Sequence, residues 1–407
     1  MSEHSGKPLS PGTILARGGR GERAGPAGEP RPLSEPLTLA SVYRFEDLDQ
    51  VNEVWDGRQP GHVYRRFGHP NSETLEGIVA SLERAEAAVA CSSGMAALLV
   101  SLAAHLGAGD CVVAPRGLYG GTQTLLGSQL SRFGVVTSFA AGTTREPFAQ
   151  AVAAARGAGR RPKALLVETI ANPSLDVADL PGLASLAAEQ GLLLVVDNTF
   201  ATPLGCRPLQ FGPALVVHSL TKYLGGHSDV IGGVVAGSAE LIGPVRKLAI
   251  AIGATLSPMD AWLTVRGLKT LHLRFQRQQE NAAAIADWLG RQAEVSRVLY
   301  PGLKSHPSHA TAERVLDGYG AMVSFELSGG EPAVERLVRL LRLISFAPSL
   351  GENETTIMYP AITSHRNLSP EEREAAGATP GLIRLSAGTE ALADLLADLA
   401  QALAGQG

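Results

Sequence analysis

The stretch LVVHSLTKYLGGHSDVIGG, from Leu215 to Gly233, decides which fold the sequence predicts. It begins as an apolar strand, passes through Lys222 and then reaches the glycine pair Gly225 and Gly226. Lysine is rarely placed where a chain becomes buried, unless its charge is paired or its amine has been chemically changed. A desolvated lysine amine is a nucleophile that can form a Schiff base, whereas the competing interpretation is a solvated loop lysine.

Strands and helices alternate on both sides of that stretch. Apolar segments of strand length include DCVVAP, KALLVET, LLLVVDN and ALVVHS, and the helical segments include GMAALLVSLAAHL and LPGLASLAAEQG. Near-continuous Val, Ile and Leu strands separated by helices predict a mostly parallel sheet that is buried on both faces. Functional residues are then expected at the carboxyl ends of the strands.

Changes in character along the chain divide it into four predicted parts. Residues 1–36 are rich in Gly, Pro and Arg and are predicted to be a flexible lead-in, followed by an extended arm at residues 37–70. Residues 71–273 carry the alternating pattern of a large α/β domain, whose first helix is predicted to begin at Ser72. Residues 274–407 begin with a long polar helix and are predicted to form a smaller α+β domain.

Composition excludes several classes of function. The chain has 407 residues, 45% of them hydrophobic, and a formal net charge of -4, which argues against a general nucleic-acid or anionic-membrane binder. No apolar run reaches the roughly 18 residues that span a bilayer. Cys91, Cys111 and Cys206 are too few and too scattered for a disulfide framework or a zinc site, and they indicate a reducing cytoplasm. We therefore expect no metal, no nucleic-acid partner and no membrane insertion.

Two strand ends carry candidate contacts to a cofactor. In CSSGMAAL, Cys91 to Leu98, a strand ends in Ser-Ser-Gly and a helix begins at once, so that backbone N–H groups and the helix dipole favour an anion. A simple serine cap of the helix is an equally good interpretation. In LLLVVDNTF, Asp197 ends an apolar strand, where its carboxylate either forms a turn or faces a cationic ring nitrogen.

Two further strand ends complete the pattern. Lys222 ends the next strand after Asp197, and Ser219 and Thr221 add hydroxyl groups that can bind a phosphate. In LIRLSAG, Arg384 lies in an apolar strand and needs an anion, which is either a substrate carboxylate or the partner in a structural salt bridge. An anion cradle, an aspartate, a Schiff-base lysine and a carboxylate-binding arginine together fit pyridoxal 5'-phosphate (PLP) as the cofactor.

With these residues the sequence resembles the Cys/Met-metabolism, or trans-sulfuration, family of PLP-dependent enzymes, which includes cystathionine γ-synthase, cystathionine γ-lyase, methionine γ-lyase and O-acetylhomoserine sulfhydrylase. The matching motifs are HSLTKYLGGHSDVIGGVV, VETIANPS, VVDNTF, YGGT, LTVRGLKTLHLR and SLGENET, in the family's order. The resemblance covers nearly the whole chain after Pro36. It implies fold type I, the aspartate-aminotransferase-like α/β fold, with a large mostly parallel sheet domain that binds PLP and a smaller C-terminal α+β domain.

The resemblance also implies a role for each matching residue. Lys222 is implied to bind the cofactor as a Schiff base and to act as the catalytic base, while Asp197 pairs with the ring nitrogen. Tyr119 is implied to stack on the ring and to help to activate the substrate. The other implied cofactor contacts are Ser93, Gly94, Met95, Glu168, Asn172, Ser219 and Thr221. The implied substrate contacts are Ser349, Glu354 and Arg384, with Arg384 on the α-carboxylate.

Tyr64 and Arg66 resemble the family's Tyr-x-Arg pair, which reaches the phosphate in a neighbouring subunit. The resemblance therefore implies a homodimer with shared active sites, paired further into a tetramer. From the residues alone, a tyrosine and an arginine in a surface loop carry no such meaning.

Several positions depart from the family pattern and bear on the substrate. The segment YRRFGHPN has His69 and Asn71 where the family usually has asparagine and threonine, and we interpret His69 as a turn substitute rather than a new catalytic residue. Gly121 stands where methionine γ-lyases usually carry a cysteine, which favours the γ-synthase and γ-lyase branches. Arg366 is unusual and is expected near the distal end of the substrate.

The sequence thus predicts a γ-replacement or γ-elimination enzyme acting on a small amino acid, with cystathionine γ-synthase first and cystathionine γ-lyase second. A third hypothesis, motivated by His69, Asn71 and Arg366, is a specialised-metabolism enzyme that joins a homoserine-derived fragment to another nucleophile. A non-catalytic, cofactor-binding or regulatory protein on the same fold is disfavoured, because Lys222, Asp197 and Arg384 are all intact.

Overall fold

The structure is a computed structural model, and it describes residues 9–18, 32–366, 369–375 and 377–405. Residues 1–8 and 19–31 of the predicted lead-in lie outside the described residues. A part of the lead-in that is described, Pro11–Ala16, forms a short helix in which Leu15 is fully buried. Packing against later helices thus orders six residues whose Gly- and Pro-rich surroundings predict flexibility.

A seven-stranded sheet forms the centre of the molecule, in the order β1-β7-β6-β5-β4-β2-β3. The neighbours from β3 to β6 are parallel, whereas β7 runs antiparallel to both β1 and β6. This confirms the predicted mostly parallel sheet. The strands are β1 Ala87–Cys91, β2 Asp110–Pro115, β3 Val136–Ala140, β4 Arg161–Glu168, β5 Leu193–Asp197, β6 Leu215–Ser219 and β7 Gly233–Gly237.

Helices cover both faces of this sheet. Along β4, Leu165 and Val167 pack into one apolar cluster, whereas Ala164 and Leu166 pack into a second cluster on the opposite face. Successive side chains of a strand point to opposite faces, so a strand buried on both sides has to be apolar throughout. The helices are α1 Pro11–Ala16, α2 Leu48–Trp55, α3 Pro70–Glu83, α4 Gly94–Ala103, α5 Gly120–Thr124, α6 Arg145–Gly157, α7 Leu180–Gln190, α8 Thr202–Gly205, α9 Ala239–Ile252, α10 Pro258–Leu268, α11 Leu271–Leu289, α12 His309–Val315, α13 Gly330–Leu340, α14 Pro370–Ala375 and α15 Leu392–Ala404.

A second sheet of five strands follows, in the order β10-β11-β12-β9-β8. It is antiparallel except for the β10–β11 pair. Its strands are β8 Val295–Leu299, β9 Met322–Leu327, β10 Ser345–Phe346, β11 Thr356–Met358 and β12 Leu382–Ser386. The predicted domain boundary between residues 273 and 274 falls inside α11, so the division at that point stays a prediction.

The first helix of the large sheet region begins at Pro70, two residues before the predicted start at Ser72. His69 caps this helix, because its Nδ1 accepts a hydrogen bond of 3.2 Å from the backbone N–H of Ser72. Asn71 is fully buried and ties the arm to the helix, since it accepts from the backbone N–H of Thr38 at 2.9 Å and donates to the carbonyl of Pro36 at 2.7 Å. Both unusual residues therefore have a structural task at the end of the arm.

Among the helices of the described ranges, none has the length and apolar character needed to cross a membrane.

A fully buried polar pair joins α3 to the sheet. His218 Nε2 lies 2.6 Å from Glu83 Oε1, and both side chains are 0% exposed. The amide of Asn198 donates to the same Glu83 oxygen at 3.1 Å. Breaking a buried pair leaves the remaining partner unsatisfied, which is among the more costly changes in a protein interior.

We predict that Glu83→Ala lowers the free energy of unfolding by about 3–5 kcal/mol, because His218 and Asn198 would lose a shared partner. Denaturant unfolding followed by circular dichroism measures the change. Glu280→Ala is the matched control, because Glu280 is exposed on α11, and its effect should stay within about 0.5 kcal/mol. If the two variants are equally stable, the buried pair does not support the fold.

Candidate active site

The carboxyl ends of three neighbouring parallel strands bring the predicted site residues together. Glu168, the last residue of β4, is paired in register with Asp197, the last residue of β5. Asp197 is in turn opposite Val217 on β6, two residues before Ser219. A parallel sheet places such strand ends along one edge, which is where α/β proteins bind ligands.

The start of α4 forms a cradle beside this edge. Ser93 caps the helix, with its Oγ accepting from the backbone N–H of Ala96 at 3.0 Å. A Cβ added to Gly94 would lie 2.9 Å from Cβ of Ser219, so only a glycine allows the helix start and the serine to be so close. The first N–H groups of a helix have no partner within the helix, and here they stand beside a serine hydroxyl. Ser93, Gly94, Met95 and Ser219 thus form one group that suits a phosphate.

Thr221 lies at the edge of this cradle. Its hydroxyl exchanges hydrogen bonds with the backbone of Gly232, at 3.2 Å from the Gly232 N–H and 3.4 Å to the Gly232 carbonyl. The next residue, Gly233, packs against the carbonyl of Ser93. The structure therefore places Thr221 near the start of α4, although its hydroxyl already has backbone partners.

Glu168 and Asp197 are two carboxyl groups that face each other. Glu168 accepts from the backbone N–H groups of Tyr119 at 2.6 Å and Asn172 at 3.2 Å. Burial, and then the Asp197 carboxylate, raises the pKa of Glu168 to about 8. Burial also raises the pKa of Asp197, although Thr199 opposes this by donating to Asp197 Oδ1 from its N–H at 3.0 Å and its hydroxyl at 2.5 Å.

No lysine or arginine of the described ranges forms an ion pair with either of these carboxyl groups. A positively charged ring N–H beside Asp197 would donate a hydrogen bond to this carboxylate and balance its negative charge. The donors and acceptors present at this edge of the sheet therefore fit a pyridinium ring with a phosphate at its other end.

Lys222 lies in the short turn Leu220–Leu224 that follows β6. Its Nζ donates to Ser349 Oγ at 3.3 Å. Burial, and then the positive charge of Arg384, lowers the pKa of the Lys222 amine, while Glu352 acts in the opposite direction. Gly351, with a φ of +79°, lets the loop that carries Ser349 pack against the backbone of Tyr223.

Arg384 reaches the site from β12 of the second sheet. Its Nη1 donates to Asn172 Oδ1 at 2.9 Å, and its Nη2 donates to the carbonyl of Ser349 at 3.0 Å. Its Nε is buried and has no hydrogen-bond partner in the part of the chain that the structure describes. Burial lowers the pKa of Arg384 to about 10, so an anion that completes its hydrogen bonds would be well placed here.

Tyr119 lies at the open side of the site and is 44% exposed. A Cβ added to Gly121 would lie 2.5 Å from Cε1 of Tyr119 and 3.2 Å from Sδ of Met95. The Tyr119 ring and the Met95 thioether therefore flank Gly121, and any side chain at position 121 would displace the ring.

Four of the predicted residues, Tyr64, Arg66, Glu354 and Arg366, are not brought to Lys222 by contacts within the described chain. Arg66 donates to the carbonyl of Ile250 at 2.8 Å, and Tyr64 lies beside it. The Glu354 side chain is exposed, and its role in substrate binding stays a prediction. Arg366 is exposed as well, at the edge of the described residues.

Two residues of the site were missed by the sequence analysis. Thr199 links Asp197 to the backbone N–H of Ser219, which its Oγ1 accepts at 2.9 Å. Glu352 is buried and accepts from Ser349 Oγ at 3.0 Å. The signal for Thr199 is its place directly after the strand end VVDN, whereas nothing local separates Glu352 from the exposed Glu354 in SLGENET.

A model of the family described as Cys/Met metabolism PLP-dependent enzyme matches residues 19–404. The chain belongs to this family. Its cofactor is therefore PLP, and the chain is a PLP-dependent enzyme of the trans-sulfuration family, as the resemblance implies. The observed α/β architecture agrees with fold type I.

Individual relatives of this PLP-dependent enzyme differ in their activity. An L-methionine gamma-lyase from Fusobacterium nucleatum subsp. polymorphum is 41% identical over 374 residues, which cover 91% of this chain and 93% of the relative. An O-succinylhomoserine sulfhydrylase from Pseudomonas aeruginosa is 40% identical over 384 residues, which cover 94% of this chain and 93% of the relative. The crystal structure of cystathionine gamma synthase from Xanthomonas oryzae pv. oryzae, in complex with aminoacrylate and cysteine, has a TM-score of 0.90 at 40% identity and covers 98% of this chain and 99% of that one.

We predict that Lys222→Ala abolishes the visible absorbance that PLP gives when it is bonded to a lysine amine, because Lys222 is the amine that follows β6 at this edge of the sheet. Absorbance spectra of the purified protein with added PLP measure the loss. Lys247→Ala, at an exposed position on α9, should leave the spectrum unchanged. Retention of the absorbance in Lys222→Ala would show that another lysine binds the cofactor.

Proposed function

We propose that this trans-sulfuration enzyme performs γ-replacement or γ-elimination on a homoserine-derived or sulfur amino acid, with cystathionine γ-synthase as the first candidate. Lys222 and Arg384 converge on Ser349, one on its hydroxyl and the other on its carbonyl, and this observation carries the proposal. An α-amino acid has both a Cα proton and a carboxylate, so it suits a site in which a proton acceptor, Lys222, and a carboxylate-binding group, Arg384, are both hydrogen-bonded to Ser349. The likeness to the cystathionine gamma synthase structure supports the choice of first candidate.

In the proposed reaction Lys222 moves protons. Its lowered pKa increases the fraction of neutral amine near pH 7, so that it can accept the proton from the substrate Cα. PLP, when bound, supplies an electron sink, which would accept the electron pair of the Cα–H bond that is broken. Arg384 holds the substrate carboxylate and fixes Cα within reach of the lysine.

The two candidate outcomes share the first proton transfer and differ at Cγ. In γ-replacement the bond between Cγ and the leaving acyl oxygen breaks, a bond from Cγ to the cysteine sulfur forms, and the thiol proton is released. In γ-elimination from cystathionine the bond between Cγ and sulfur breaks, and the sulfur leaves as cysteine after taking a proton. The remaining four-carbon fragment takes up water and releases ammonia and a keto acid, which is the outcome of cystathionine γ-lyase.

The distal wall of the site decides between these outcomes. The backbone of Gly120 packs against the carbonyl of Ser364, so the segment 364–366 closes on the loop that carries Tyr119. Burial, and then Arg384, lowers the pKa of His365 to about 4, which leaves His365 uncharged near pH 7. Arg366 therefore supplies the positive charge of this segment. Because of this unusual charge at the distal end, a specialised enzyme that uses another nucleophile remains the third candidate.

We predict that the purified enzyme with PLP forms cystathionine from cysteine and O-succinyl- or O-acetylhomoserine, as measured by mass spectrometry. Cysteine and ammonia released from cystathionine would instead support the lyase. Methanethiol released from methionine would contradict the interpretation of Gly121. Turnover of none of these substrates, despite the absorbance of bound PLP, would favour the specialised enzyme.

We also propose that the protein is a homodimer with shared active sites, paired into a tetramer, and that it works in the cytoplasm. Large apolar side chains are exposed along the arm, and they support a subunit interface there. They are Leu39, Val42, Leu48, Trp55, Tyr64 and Phe67. The three cysteines are all free and buried, which agrees with a reducing compartment.

We predict that inactive subunits complement each other when one carries Lys222→Ala and the other carries Tyr64→Ala with Arg66→Ala. If each site takes its arm residues from the partner, half of the sites in a hybrid dimer are intact, and a random mixture regains about a quarter of the normal activity. Subunit exchange followed by an activity assay measures the recovery.

The control mixture combines Lys222→Ala with Arg384→Ala. These two residues belong to one site of one chain, so this mixture should remain inactive. No recovery in the first mixture would contradict the shared site.

A further inference from the structure

Glu352 is a buried carboxyl group, 5% exposed, in the loop that carries Ser349. Its Oε1 accepts from Ser349 Oγ at 3.0 Å, and its Oε2 accepts from the backbone N–H of Ser228 at 2.8 Å. Its carbonyl accepts from the amide of Gln278 at 2.6 Å. The residue is therefore fixed through both its side chain and its main chain, and it joins the second sheet to the loop that follows Lys222.

The bond between Glu352 and Ser349 sets the direction of the next hydrogen bond. A serine hydroxyl has one proton to donate, and an ionised carboxylate only accepts. The Ser349 proton is therefore directed at Glu352, which leaves the lone pairs of Ser349 Oγ facing Lys222 Nζ at 3.3 Å. In this arrangement Lys222 has to be the donor.

The charges around Lys222 act in opposite directions. Arg384, on β12, disfavours a positive charge on the lysine, whereas the carboxylate of Glu352 favours it. Among the described residues, Arg274 on α11 is a second cation that interacts with the Glu352 carboxylate. Further titratable groups of this centre are Glu168 and Asp197 at the sheet edge, Tyr119 and Tyr223 beside Arg384, and His365 in the distal segment.

We propose that Glu352 is a positioning residue for Lys222: acting through Ser349, it holds the lysine nitrogen as a hydrogen-bond donor and favours its protonated state. This inference rests on the proposed function, because it assigns a task in the same site. The residues Lys222, Ser349 and Glu352 form a relay in which the carboxylate fixes the orientation of the hydroxyl, and the hydroxyl fixes the nitrogen.

The substitution Glu352→Gln reverses the direction of both hydrogen bonds in the relay, and it changes the shape of the side chain little. Ser228 N–H needs an acceptor, so the amide oxygen of glutamine turns toward it and the NH2 group faces Ser349 Oγ. The serine proton is then directed at Lys222. A nitrogen that receives a hydrogen bond is stabilised in its unprotonated form, and the negative charge that favoured the proton is also gone.

The test is a pH titration of the visible absorbance of the PLP-loaded enzyme without substrate, which reports the protonation of the nitrogen that joins Lys222 to the cofactor. For Glu352→Gln we expect the acid dissociation constant of that nitrogen to rise at least about threefold, which is about half a pH unit. Glu335→Gln removes a charge from an exposed position on α13 and should titrate like the unchanged enzyme.

Ser349→Ala shows whether the effect passes through the hydroxyl. This variant should shift the titration in the same direction. When Glu352→Gln is added to Ser349→Ala, the further shift should be less than about half of the shift that Glu352→Gln causes by itself. If Glu352→Gln does not fold, the shift of Ser349→Ala decides the test. The proposal is overturned if either Glu352→Gln or Ser349→Ala titrates like the unchanged enzyme. It is also overturned if Glu352→Gln causes the same shift in the Ser349→Ala variant as in the otherwise unchanged enzyme.

The outcomes also separate this inference from the proposed function. An enzyme that turns over sulfur amino acids but whose titration does not respond to Glu352→Gln overturns the relay alone. An enzyme that shows the shift but turns over none of the tested amino acids supports the relay and overturns both cystathionine γ-synthase and cystathionine γ-lyase as candidates.

Discussion

The Lys222 amine lies between the guanidinium of Arg384 and the carboxylate of Glu352, with Ser349 in contact with all three. A buried ammonium ion without partners is strongly unfavourable, and a second cation beside it makes it more so. The loop that carries Ser349 and Glu352 therefore has to close over the lysine with little freedom. The positive φ of Gly351 and the bond from Glu352 to Ser228 hold it in that position.

This constraint explains why the site needs both sheets. The seven-stranded sheet supplies Asp197, Glu168 and the turn with Lys222, whereas the five-stranded sheet supplies Arg384 and the Ser349 loop. One apolar cluster runs through both, because Leu165 on β4 and Leu385 on β12 belong to it. Packing of this shared core keeps Arg384 at a fixed distance from Lys222.

Much of the fold was predictable because its signals are local. Apolar strands that end in a polar residue have a recognisable pattern, and the rule for parallel sheets then places Asp197 and Lys222 on one edge. The start of α3 was misplaced by two residues, because the cap is a histidine rather than one of the usual small polar residues. The helix Pro11–Ala16 was missed because a single buried leucine in a short segment gives no periodic pattern.

The sequence by itself determined the cofactor and the family, because those depend on short motifs at strand ends whose order is preserved along the chain. Only the tertiary structure decided which polar residues meet around the lysine. Lys222 and Ser349 are separated by 127 positions, and Asn172 and Arg384 by 212. No local pattern distinguishes Glu352 from Glu354, yet one is buried against Ser349 and the other is exposed. That difference comes from the turn at Gly351, which directs one carboxylate inward across the boundary between the two sheets.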